Sequence, residues 1–278
     1  MISEELAAAT AKPRYMRSAR VLNAERTAIK EIVDRLYIIE DPIAQRDATV
    51  SLSNIVEDSE FVRSAVIEHG GIAGLVALLS SEHHEPTSEA RRYATRALTS
   101  LCLGGYPDRL MDPVDVKYQI GQVLCAIPLV VAGLLDFEIT TKPTAEEQLM
   151  CAVSAGLIAA LADGSAANQL GFAAAGALAP LVAMLGSPGQ SFIGINLPTH
   201  AAAALAALSE HPFLQGTIAT HGAIGPLCNN LAVGPARSSN LFASAQFHLG
   251  HTLQLCDDLT SSHDSVSVSV STSHSLSL

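Results

Sequence analysis

Hydrophobic residues recur along this chain at helical spacing, in runs broken by short clusters of turn-forming residues. The first run starts near Asn23: Leu22, Ile29, Ile32, Val33 and Leu36 share one side of a helix, and Glu25, Arg26, Lys30, Glu31 and Asp34 fall largely on the other. A helix with one polar face suits the end of a stack, where no further neighbour has to be covered. Four later runs share one form, a small residue, a branched aliphatic residue and then apolar pairs. They are Gly71-Ile72-Ala73-Gly74-Leu75-Val76-Ala77-Leu78-Leu79, Ala126 to Leu135, Gly176 to Leu185 and Gly222 to Leu231. Their anchors Ile72, Ile127, Leu178 and Ile224 are 55, 51 and 46 residues apart. That period belongs to helical repeats slightly stretched by loops.

A second motif alternates with the first. It reads Ala97-Leu98-Thr99-Ser100-Leu101, Leu157-Ile158-Ala159-Ala160-Leu161 and Ala204-Leu205-Ala206-Ala207-Leu208, with weaker copies at Ser51 to Ile55 and near His248-Leu249-Gly250-His251. Two motifs interleaved at one spacing mean one structural unit copied. Turn signals separate the units at Glu85-Pro86-Thr87-Ser88, Lys142-Pro143-Thr144, Gly186-Ser187-Pro188-Gly189 and Gly234-Pro235, each ahead of a long helix where a cap is wanted. Pro128, Pro180 and Pro226 fall in the first turn of a helical run, where the missing amide hydrogen has no intrahelical partner. The pattern predicts an all-α, right-handed α-solenoid over residues 22–259. A flexible leader (1–21) precedes it and a disordered Ser/Val-rich tail (260–278) follows, with Ser and Val alternating from Ser265 to Ser271.

The phrases Glu68-His69-Gly70-Gly71 to Leu79 and Ala174-Ala175-Gly176 to Leu185 resemble the second helix of an armadillo repeat, and the Ala97 to Leu101 motif resembles the third. The similarity covers about residues 45–256. It implies a concave groove lined by third helices that receives an extended peptide, with an Asn just before the last Leu of the motif holding the peptide backbone. In this chain Asn54 stands at that position, and the equivalent places hold Ser100, Ala160, Ala207 and His251. Tryptophans, which importin-alpha uses to sandwich basic side chains, are absent altogether. Four residues before the Asn position stand Val50, Arg96, Gly156, Ala203 and Phe247, and one turn earlier Arg46, Arg92, Ala152, Thr199 and Ala243. The groove so read is cationic around Arg46, Arg92 and Arg96 and nearly chargeless beyond. The residues expected to meet a partner are Arg46, Asn54, Arg92, Arg96, Ser100, Phe247 and His251.

Composition narrows the function. The net charge of −11 disfavours a general binder of nucleic acid or anionic membrane. The longest membrane-like segment, Val123 to Phe137, is shorter than a spanning helix and contains Pro128 and Asp136, so it is expected as a buried helix and not a membrane span. The five cysteines Cys102, Cys125, Cys151, Cys228 and Cys256 form no CxxC pair and read as reduced, buried small hydrophobes. With no secretory pattern at the start, the cytoplasm is the expected compartment, the nucleus the alternative. Between Gln148 and Cys256 the only charged residues are Asp163, Glu210 and Arg237. That half is a covered interface, a self-association surface or an alanine-rich drift in composition.

No enzyme signature is present: the chain lacks a P-loop, a GxSxG elbow and an HExxH pair. Metal binding is the sharpest chemical alternative, through His248 and His251, three apart, with Cys256, Asp257 and Asp258 after them. No cofactor is expected. The sequence therefore points to a module that binds another protein or peptide segment, with a structural subunit of a larger assembly and a metal or enzyme site at the C-terminal His/Cys cluster as alternatives.

Overall fold

The computed structural model describes residues 19–80, 89–104, 113–139, 144–187 and 196–232. Among these residues there are thirteen α-helices and no strand, numbered in chain order. A partial unit, α1 (Ala19–Arg35) and α2 (Pro42–Asp58), opens the array. Three complete units follow: α3 (Glu60–Glu68), α4 (Gly71–Leu79) and α5 (Glu89–Leu103); α6 (Pro113–Gln122), α7 (Ala126–Ile139) and α8 (Ala145–Ala162); α9 (Ala166–Ala174), α10 (Leu178–Leu185) and α11 (Leu197–Ser209). The helices α12 (Pro212–Thr220) and α13 (Ile224–Ala232) begin a fourth. The expected second-helix phrases are α4, α7, α10 and α13, and the Leu-x-x-Leu motifs lie in α2, α5, α8 and α11.

Each unit folds the same way because its turns are chemically similar. The short first helix meets the second at 81° in the α3–α4 pair and 85° in the α6–α7 and α9–α10 pairs. The chain makes that corner through one residue of positive φ: Gly70 (80°), Gly176 (86°) and Gly222 (85°). Glycine takes this conformation without a Cβ penalty. In the second unit the same corner is held by Cys125, at φ 63°. The third helices α2, α8 and α11 begin on side-chain caps. Asp41 Oδ1 accepts from the Ala44 amide at 2.9 Å, and Asn196 Oδ1 accepts from the Thr199 amide at 3.3 Å. At Thr144 the cap is reciprocal, its hydroxyl accepting from the Glu147 amide while the Glu147 carboxylate accepts from the Thr144 amide.

Stacking supplies the core. The third helices α2, α5, α8 and α11 pack in that order, and the second helices α4, α7, α10 and α13 form a parallel row. A single apolar cluster runs from Ile29 to Leu227 through Leu52, Leu98, Leu157, Ile158 and Leu205, all fully buried. Burying each such side chain stabilises by roughly 1.5–3 kcal/mol, and no unit could bury this much alone. In α1 the predicted apolar side is the buried one; Glu25, assigned to the polar side, is instead buried at 4% exposure.

The first helices also pin the C-termini of the third helices, where backbone carbonyls lack intrahelical partners. Arg63 on α3 donates through Nη1 to the carbonyls of Val56 (3.0 Å) and Glu57 (3.3 Å). Lys117 on α6 donates to the Asp163 carbonyl at 3.0 Å and to its carboxylate at 2.5 Å. On α9, Asn168 donates to the Lys117 and Leu161 carbonyls, and Gln169 donates to those of Ala162 (2.9 Å) and Ala207 (3.0 Å), tying two consecutive third helices together. On α12, Gln215 donates to the Ser209 carbonyl at 3.0 Å. Two of these groups are cationic, which suits the negative end of a helix dipole.

By length and composition α8 could cross a membrane, unlike the segment singled out from the sequence, which bends by 85° between Gln122 and Ala126. Within the array α8 is the central third helix, packed between α5 and α11, and its apolar surface is spent on those neighbours.

Candidate binding face on the third helices

The face that the third helices leave open changes character along the array. On α2 the exposed residues are Ile43, Arg46, Asp47, Asn54 and Glu57, with Val50 half-buried, a stripe of helical period. On α5 the stripe continues as Glu89, Arg92 with Tyr93, Arg96, Ser100 and Leu103. On α8 and α11 the equivalent places are small and largely covered: Ala152 is 2% exposed, Ala160 4%, Ala203 7% and Ala207 6%. These two helices make the most extensive pairwise contact in the array. Side chains no larger than a methyl group let two helices approach closely and fill the space between them. The scarcity of charge in this half thus has a packing cause at these positions.

The three arginines expected to make the groove cationic are brought onto one face, but each lies against a carboxylate. Arg46 donates to Asp47 Oδ1 from Nη2 at 2.8 Å and from Nε at 3.1 Å. Arg92 lies 3.8 Å from Glu89 and places its guanidinium 5.1 Å from the centre of the Tyr93 ring. Arg96 reaches across from α5 to α2 and grips Glu57 with both ends of its fork, Nε to Oε1 at 2.6 Å and Nη2 to Oε2 at 2.8 Å. Hydrogen bonding to these carboxylates raises the pKa of Arg46 and Arg96 above the usual arginine range. The face is therefore charge-balanced here, three guanidinium groups against Asp47, Glu57 and Glu89. Because the pairs are solvent-exposed, water and salt screen each of them and they can be exchanged.

Asn54 stands apart from this pairing. It is exposed, and among the described residues it has no hydrogen-bond partner, so its amide can both donate to and accept from another backbone. Ser100, at the equivalent place on α5, donates its hydroxyl to the Arg96 carbonyl at 3.2 Å. Phe247 and His251 lie outside the described residues, as do His248 and Cys256 of the metal alternative. Among the described residues no group of three His, Cys, Asp or Glu side chains could hold a metal ion.

The thiols divide. Cys102 and Cys151 are buried as expected, and burial pushes the Cys102 pKa up to about 12. Cys125 corrects the reading of the cysteines as buried hydrophobes, because its corner between α6 and α7 projects it into solvent.

No protein-family model and no curated protein matches the sequence. Solved structures do. A designed armadillo repeat protein superposes with a TM-score of 0.66 at 18% identity, over 92% of this chain and 91% of its own. A second designed armadillo repeat protein, in complex with the peptide (KR)4, gives 0.62 at 18% identity over 91% of each chain. An engineered protein gives 0.62 at 22% identity, over 93% of this chain and 89% of its own. Likeness of this extent and this level of identity establishes the fold, and with the repeated three-helix unit it identifies the chain as an armadillo-like α-solenoid.

Proposed function

We propose that the chain is a non-enzymatic binding scaffold that holds an extended segment of another protein across the open face of α2 and α5. The observation that carries this reading is Asn54, an exposed amide with no partner among the described residues, on the stretch of third-helix face that is most exposed among those residues. A side-chain amide in that position can pair with both the N–H and the C=O of a passing main chain, which gives affinity without dependence on sequence. The (KR)4 peptide complex of a designed relative supports a groove able to take an extended chain. Buried thiols at Cys102 and Cys151 suit the reducing conditions of cytoplasm or nucleus.

The alternative of a subunit whose uncharged half is covered by another chain loses support at Ala152, Ala160, Ala203 and Ala207, which are already buried within this chain. Panning a random nonapeptide library against the full chain tests the scaffold reading. Selected peptides are expected to bind the native chain and to lose about tenfold in affinity against Asn54→Ala, the equivalent of 1.4 kcal/mol for a lost bidentate contact. Peptides that bind the variant equally well would remove α2 and α5 as the site.

A further inference from the structure

The Ser/Val alternation at residues 265–271 lies outside the described residues, and its chemistry matches the open face. In an extended chain successive side chains point to opposite sides, so Val266, Val268 and Val270 would form one apolar edge and the serines a polar one. From Ser265 to Leu278 there is no Asp, Glu, Lys or Arg. Such a segment has strand chemistry, and among the described residues there is no strand for it to join.

The face across α2 and α5 offers what this segment needs. Its main chain can be paired at Asn54, and its valines can meet Ile43, 65% exposed, and Val50, half-buried. Charge selects in the same direction. With Arg46, Arg92 and Arg96 each set against a carboxylate, an acidic or a basic segment must break an existing pair for every new one it makes, whereas an uncharged segment disturbs none. We infer that residues 265–271 bind the α2–α5 face of their own chain and act as an internal ligand that an incoming partner segment has to displace. This rests on the reading of that face as a site for extended segments.

Tethering makes a weak contact sufficient. Roughly 30 residues lie between Ala232 and Ser265. Fully extended they could span about 100 Å. Attachment at that distance gives an effective concentration in the millimolar range, so a segment whose free dissociation constant is about 1 mM would occupy the face about half the time. Removing it should raise the apparent affinity of a partner peptide about two- to tenfold.

The test replaces Val268 with the photoreactive residue benzoylphenylalanine in the full-length chain, mixes isotopically light and heavy preparations, irradiates at low concentration and maps cross-links by mass spectrometry. The expected cross-links join position 268 to α2 or α5 within one chain, and they disappear when Asn54→Arg fills the face. Circular dichroism confirms that this variant is folded, and Asn54→Ala, which should weaken the cross-link several-fold, serves if it is not. Cross-links to other helices, to a different chain, or none at all overturn the inference. The two readings fail separately. If library peptides need Asn54 but position 268 does not cross-link, the face is a binding site without an internal ligand. If neither result appears, both readings fall.

Discussion

Cys125 offers a clean perturbation of the fold. It occupies the corner between the first and second helices of its unit at φ 63°, where the other described units have glycine at φ 80°, 86° and 85°. For an L-residue this backbone region costs about 1–2 kcal/mol, because Cβ crowds the following carbonyl oxygen. Replacing Cys125 with Gly removes that strain, and the thiol is exposed, so no buried contact goes with it. Against the gain stands the extra freedom of glycine in the unfolded chain, about 0.4–1 kcal/mol. The difference leaves Cys125→Gly more stable by about 0.5–1 kcal/mol, or about 2 °C in Tm for a chain of this size. Gly176→Ala is the reciprocal experiment: a Cβ there meets no heavy atom within 4 Å, so its whole effect is backbone strain and should be equal and opposite. Thermal unfolding followed by circular dichroism at 222 nm measures both. Cys125→Ser keeps the strain and removes the thiol, and should leave Tm where it was. A lower Tm for Cys125→Gly, or an unchanged one for Gly176→Ala, would refute the assignment of this corner as a common left-handed turn.

Four further outcomes follow from the packing. Gln169→Leu leaves the Ala207 carbonyl without its side-chain donor, while the Ala162 carbonyl keeps the Ser165 amide at 3.0 Å, and should destabilise by about 1–2 kcal/mol, read from the urea midpoint; a change under 0.5 kcal/mol would deny the amide its bridging role. Ala207→Leu overpacks the contact between α8 and α11 and should cost about 1–3 kcal/mol, while Asn54→Leu on the open face should stay within about 0.5 kcal/mol; equal effects would mean that the two halves do not differ. Brief alkylation at pH 8 followed by peptide mapping should modify Cys125 in the native chain but Cys102 and Cys151 only after unfolding. Because the folded state holds the Cys102 proton to about pH 12 and the unfolded chain releases it near 9.0, the stabilisation linked to this thiol is complete below pH 9 and is lost as pH rises toward 12.

Much of the architecture was legible because it depends on local periodicity. The phrases around Ile72, Leu178 and Ile224 show which helix follows each corner, and Thr144 with Glu147 announces the start of α8 as a capping box. The pairing of the face was not legible. Arg96 and Glu57 are 39 residues apart, and only the stagger of α5 against α2 decides that they meet. Nor does sequence distinguish an alanine exposed for its helix propensity from one buried for its size; the separation of α8 and α11 makes that distinction, and it lies in long-range packing.

Two signals were present and went unread. Aligning the anchors puts Cys125 in the column of Gly70, Gly176 and Gly222, which marks it as a non-glycine residue at a corner that wants glycine. Likewise Arg63, Lys117, Gln169 and Gln215 are polar residues inside short apolar helices, at spacings of 54, 52 and 46 residues, almost those of the anchors themselves. Arg63, Gln169 and Gln215 each reach the end of the third helix before their own, whereas Lys117 reaches the end of the one that follows it. Here the partners are carbonyls at the ends of third helices, so the residues that hold those ends in place are those that break the apolar pattern most regularly.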